Sequence, residues 1–176
     1  MSSDFSMAMT RRAMLATLPL SAAPLAACAP AEVRTFPTLA SAIAAVQSLD
    51  ARCRSSGTWS LAQVLEHAAQ SIEYSMQGFP QTRSPLFRST LGSAAFAVFD
   101  ARGAMSHSLA EPIPGAPALG TALPSAVERL LAALKAFDAH SGALHPHFAY
   151  GALGKAEYTR AHLMHLANHW TEVVKA

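Results

Sequence analysis

Apolar residues recur along this chain at three- and four-residue spacing, the period of helices that each bury one face. From Thr38 to Ala51 the recurring positions are Leu39, Ile43, Val46 and Leu49, which predict a first helix. Trp59 and Val64 are spaced as a hydrophobic staple around Ser60, a capping residue with Gln63 three positions on. A second helix therefore starts at Ser60, and it stops near Gly78, ahead of Pro80. Pro85 opens a third stretch with Leu86, Leu91, Ala94, Ala95, Val98 and Phe99, closed by Gly103. The next stretch, to Leu123, holds three prolines and three glycines and reads as a long loop. A fourth helix follows from Pro124 to Ala139, with Val127, Leu130, Leu131, Leu134 and Phe137 on one side, and the last runs from about Lys155 to the C-terminus. No stretch alternates long enough to predict a strand, and no repeat of solenoid length is present. The expectation is an all-α bundle: four helices around one core, an additional shorter helix across an end or side, and a long loop before the fourth helix.

Composition changes this picture little. At 176 residues, 51% hydrophobic and 14% charged, the chain suits one globular domain. A formal net charge of +2 with scattered basic residues offers no stripe to neutralise phosphates, so nucleic acid is not an expected partner. The two cysteines, Cys28 and Cys53, make no disulfide framework and have no zinc-finger spacing to histidine. The N-terminus reads as an address. Arg11 and Arg12 precede a weakly apolar run, resembling a twin-arginine export signal, with Met14 and Ala16 departing from its commonest residues. The run ends at Leu25-Ala26-Ala27-Cys28, which resembles a lipobox, in which Cys28 is lipidated and becomes the first mature residue. Pro19 and Pro24 break any buried helix there, and the run is short for a bilayer span. The expected organisation is a signal over 1–27, a tether over 28–36 and a helical domain over 37–176. The protein is then exported to the periplasmic or cell-envelope side, with membrane lipid as its partner through Cys28.

Candidate chemistry rests on the eight histidines. His162, His165 and His169 share one face of the last helix with Tyr158 and Glu172. Histidines at i and i+4 present two imidazoles to one ion, and His67, in the middle of the second helix, is placed to add a third across a core. Spacing alone leaves two readings open, a metal site or hydrogen-bonded core histidines. Glu172, one turn beyond His169, is a candidate to orient a ligand imidazole or handle a proton, whereas Glu66 points about 100° away from His67 around the helix. His145 and His147 flank Pro146 and read as a rigid turn into the final helix. His107 and His140, isolated in loop or helix-end positions, are expected to be solvent-exposed and are given no role.

Trp59-Ser60 ahead of His67, Gly78-Phe79-Pro80, His145-Pro146-His147-Phe148, Gly151-Ala152-Leu153 and His165-x-x-x-His169 together resemble the DinB-like superfamily, and within it the domain of unknown function 1569 family. The resemblance covers most of the chain after the signal. It implies a DinB-like four-helix bundle in which one histidine of the second helix and an HxxxH pair of the last hold a divalent metal such as zinc, nickel, iron or manganese. Here those residues are His67, His165 and His169, with His162 as the alternative ligand. Asn168 and Glu172 replace a His and a Gln common in the family, Tyr158 replaces a Trp, and Ala149-Tyr150 is inserted; none of these removes a ligand. The implied activity is metal-dependent transfer, thiol-dependent in some relatives, or hydrolysis acting on a small molecule. The alternative is a non-catalytic, membrane-anchored binding or structural bundle without metal. Oligomeric state is open, a dimer included.

Overall fold

The structure is a computed structural model that describes residues 35–175. The signal over 1–27, Cys28 and all of the tether before Thr35 lie outside the described residues. The hydrophobic core begins at Phe36, within the span read as tether, where its ring packs edge-on against Trp170 at 5.5 Å.

The fold is mostly helical, with one small two-stranded sheet. Helix α1 (Leu39–Gln47) starts at a capping box in which the Ser41 amide donates to the Thr38 hydroxyl and the Thr38 amide to the Ser41 hydroxyl. Helix α2 (Leu61–Gln77) starts at the Ser60/Gln63 box read from the sequence and stops at Gly78. Helix α5 (Leu123–Ala139) packs along α2 and against α1, and α6 (Lys155–Trp170) closes against α2 and α1. Leu65, Ile72, Leu130, Leu134, Phe137 and Leu166 fill the space between them, an arrangement compatible with an all-α bundle. Among the described residues, no helix is long and apolar enough to cross a membrane.

Two expectations need correction. The last helix does not reach the C-terminus. It ends at Trp170, and strand β2 (Val173–Lys175) pairs antiparallel with β1 (Cys53–Ser55), Cys53 facing Lys175. Three residues are too few to display an alternating pattern, so the sheet was invisible as periodicity.

The third helical stretch is also not one regular helix. A single turn, α3 (Pro85–Phe87), runs into a π-helical segment over Arg88–Gly92 and then α4 (Ser93–Arg102). A π-turn inserts one residue and so swings the following face by about 100°. Val98, which follows the π segment, is consequently exposed; Leu86 and Leu91, also expected on the buried side, are exposed before and within it, and Phe96 is the buried residue of α4, packed with Met105, Ala161 and Met164. Gly92 explains the position of the distortion: a Cβ there would overlap the carbonyl oxygen of Ala149, so the turn before α6 lies directly on the π segment.

The long loop expected after Gly103 is present, and hydrogen bonds tie it to α2. Glu66, buried on α2, accepts from the amides of Gly120 and Thr121 at 2.7 and 3.0 Å and lies 3.6 Å from Arg129. Burial pushes the Glu66 carboxyl up, but those amides and the Arg129 charge outweigh it and hold the carboxyl below its usual range. One turn further along α2, the Gln70 amide donates to the Pro117 carbonyl at 3.2 Å. Met105 and Ile113 bury their side chains within the same segment. The loop thus forms a wall over the face of α2 that carries His67.

Candidate metal centre

His67 sits at the centre of α2, and His165 and His169 lie one turn apart on α6. Because α2 and α6 pack together, the three imidazoles meet. The Nε2 atoms of His67 and His165 lie 3.1 Å apart and those of His165 and His169 3.2 Å apart, and one ligand nitrogen from each ring falls within 4.8 Å of the others. His67 and His169 are buried, and Trp59, the residue before the α2 cap, covers both, stacked parallel on His169 with centroids 6.3 Å apart.

Burial chiefly, and then the charge of neighbouring imidazoles, lowers all three. His67 falls to about 4 and His165 well below its ordinary value, so near neutral pH the rings are uncharged. A neutral imidazole has one N–H and one lone pair, and each Nε2 offers a single in-plane position. His165 Nε2 can therefore share a proton with His67 or with His169, but not with both. One of the two close contacts is left unsatisfied by any proton arrangement, whereas a cation at the meeting point takes a lone pair from all three. The spacing suits such an ion, since two nitrogens of a tetrahedral zinc site stand roughly 3.3 Å apart at ordinary Zn–N lengths. The Nδ1 atoms of His67 and His169 are buried with no hydrogen-bond partner, so no hydrogen bond on that side orients these rings.

The other sequence candidates are placed elsewhere. His162 is buried one turn before His165, but its Nε2 pairs with the Ser75 hydroxyl at 3.2 Å. Its ring lies edge-on to Phe137 and stacks on Tyr158. Ser75 donates to the Ile72 carbonyl and so accepts from His162, which is a satisfied core histidine held neutral down to about 3 by burial and then by the charge of Lys155. Glu172 is not on α6 but in the turn to β2, where its carboxylate lies against Gly57 and its carbonyl accepts from Ser56. It does not join the imidazoles. His147 forms the expected turn: its Nδ1 accepts from the amides of Ala149 and Tyr150, both at 3.2 Å, and its backbone pairs with Gly151. His140, expected to be exposed, is half-buried at the end of α5, with its Nε2 3.3 Å from the carbonyl oxygen of Ala143.

His107 departs from the sequence reading. It is half-buried, with its ring 5.0 Å from that of His165 and 5.3 Å from that of His169. Helical spacing could not disclose a histidine delivered by a loop; the apolar Met105 and Ile113 on either side were the signal that the segment folds inward.

A cavity of about 190 Å³ opens beside His67 and His165. Met105, Ile113, Phe148 and Tyr150 give it apolar walls, and Arg83 and Glu111 add one charge of each sign. Burial pushes the Tyr150 phenol up to about 12, so it stays protonated.

These features define a helical protein with a largely buried three-imidazole cluster beside an apolar chamber. The family described as "Protein of unknown function (DUF1569)" matches residues 30–176, and the chain belongs to that family. No curated protein and no solved structure matches the chain.

Proposed function

We propose that this is an exported, DinB-like four-helix-bundle protein in which His67, His165 and His169 hold a divalent metal ion and the adjoining chamber admits a small molecule to it. The observation that carries the reading is the meeting of three neutral imidazoles, His67 and His169 buried and His165 half-buried, with Nε2 contacts of 3.1 and 3.2 Å that no sharing of protons satisfies together. The bound ion would supply Lewis-acid chemistry, polarising a substrate or lowering the pKa of a coordinated water or thiol. That chemistry serves transfer or hydrolysis. The chain's own residues supply the rest: apolar chamber walls exclude bulk water, and Arg83 and Glu111 offer charges for a polar substrate end. Export and anchoring are proposed from the paired Arg11 and Arg12 and from the Leu25-Ala26-Ala27-Cys28 tetrad.

Metal analysis of the purified chain tests the site. About one equivalent of zinc, nickel, iron or manganese is expected in the wild type. His67→Ala, His165→Ala and His169→Ala should each lose most of it, while His140→Ala should not. His162→Ala should retain the metal although it loses stability, because it removes a ring that packs on Phe137 and Tyr158. The metal should also raise the melting temperature of the wild type, since it binds only the folded chain. Equal metal content in wild type and the His67/His165/His169 triple alanine variant would overturn the site.

A further inference from the structure

The four rings of His67, His107, His165 and His169 form one group. His107 stands 5.0 Å from His165, the same centroid separation as His67 from His165, and 5.3 Å from His169. Three of the rings come from rigid helices and have converged their nitrogens; the fourth comes from the loop and flanks the converged set.

The loop's tethering makes this flank a fixed address. Met105 is buried two residues before His107, with its sulfur accepting from the Tyr150 hydroxyl at 3.9 Å, and Ile113 is buried six residues after it. Between these anchors, Ser106, Ser108 and the stretch over 110–112 are exposed, so fewer contacts restrain the span that carries His107 than restrain its ends.

His107 is also prepared electronically. Its Nδ1 lies 2.8 Å from the carbonyl oxygen of Ser108. A carbonyl only accepts, so Nδ1 carries the proton and Nε2 of the neutral ring carries the lone pair. Donation from one ring nitrogen to a backbone carbonyl is how metal-binding histidines are ordinarily held in the right tautomer. The Nδ1 atoms of His67 and His169 lack such a partner.

Resting on the metal reading above, we propose that His107 is a fourth, exchangeable nitrogen donor to the same ion. The loop carries it onto the metal when the chamber is empty, and a small anionic ligand entering the chamber takes its coordination position. The exchange is a substitution at the ion: the anion's lone pair replaces that of His107 Nε2, and the neutral ring is released with its Nδ1–H still donated to the Ser108 carbonyl. Exchangeability is inferred from the difference in support: three of the nitrogens are converged on helices, while His107 stands beside them on a loop. The same loop builds the chamber wall through Met105, Glu111 and Ile113, so a ligand filling the chamber meets His107 directly.

The test uses the full chain, stripped with chelator and reloaded with cobalt(II), because cobalt absorption and X-ray absorption report the number of imidazoles bound. The wild type should show four nitrogen donors, and both His107→Ala and His107→Gln should show three while still binding one equivalent. Azide should bind the cobalt of both variants about tenfold more tightly than that of the wild type, because it no longer competes with a protein ligand. In the wild type, azide should reduce the imidazole count from four to three. Identical imidazole counts and azide affinities in wild type and both variants would overturn the fourth-donor role while leaving the three-histidine site standing. A wild type that binds no cobalt would remove the underlying site and this role with it.

Discussion

His147 shows how single residues couple this fold to pH independently of any ion. It is buried, its Nδ1 is committed to two backbone amides, and its ring stacks on Tyr150 at 4.2 Å. Burial, and then the charge of His162 and His107, pulls it down to about 3. Unfolded, it titrates near 6.5. The unfolded chain therefore binds this proton between those values and the folded chain does not, so the stabilisation is complete above about pH 6.5 and is lost progressively as pH falls toward 3. Each such histidine contributes a slope of at most about 1.4 kcal/mol per pH unit. Chemical denaturation of the chelator-treated chain at pH 7.5, 6 and 5 should show stability falling with pH, and His147→Gln should flatten that fall by about one proton's worth. An unchanged slope in the variant would mean that His147 is charged or solvated in the folded chain. At this scale the sequence was informative where chemistry rides on a regular helix. His165 and His169 share a stripe because four residues make about one turn, whereas His67 was read from its place in the middle of the second helix and from the family resemblance. His107 obeys no such count, and His162 shares the stripe while turning its Nε2 to Ser75, a choice made by a partner on another helix.

Elements were legible where their ends carry chemistry of their own. The Ser60/Gln63 box, Gly78 and Gly103 start or stop helices where local capping predicts, because those signals need only neighbours in sequence. The π segment needs a distant partner, the turn over 147–151, and so was not readable. Gly92 makes the dependence testable. Its missing side chain admits the Ala149 carbonyl, and a methyl group there must push apart two backbone segments instead of a flexible side chain. Gly92→Ala should cost about 1–3 kcal/mol in equilibrium unfolding, as overpacked sites do. Ala94→Gly, at an exposed position in α4, should cost only the roughly 1 kcal/mol of helix propensity. If both variants lose the same small amount, the close approach is not a constraint in solution. The displaced turn carries Phe148 and Tyr150, two walls of the chamber, so Gly92→Ala should also weaken ligand capture without removing a metal-binding residue.

At the scale of the whole molecule, the described domain and the proposed address meet at Phe36. Its contact with Trp170 puts the start of the folded core beside the end of α6, one residue from His169. If Cys28 is the lipidated first residue, the chain from there to Phe36 spans at most roughly 28 Å, so the domain is held close to the membrane with that end of α6 nearest the anchor. Two substitutions separate the parts of this proposal. Arg11→Lys with Arg12→Lys should accumulate unprocessed precursor, because twin-arginine recognition depends on guanidinium geometry, and normal processing would assign the chain to another export route. Cys28→Ser should abolish fatty-acid labelling and release the domain from membranes while leaving its metal content intact, since no presumed ligand is touched. The competing fate of Cys28 is set by composition: with two cysteines in the chain, a Cys28–Cys53 disulfide is the one intramolecular bond that would consume it. Intact mass before and after reduction distinguishes the two. A diacylglyceryl thioether survives reductant with its lipid mass, whereas a disulfide opens with a gain of two hydrogens, and that second result in the wild type would sink the anchor and leave the metal site to be judged alone.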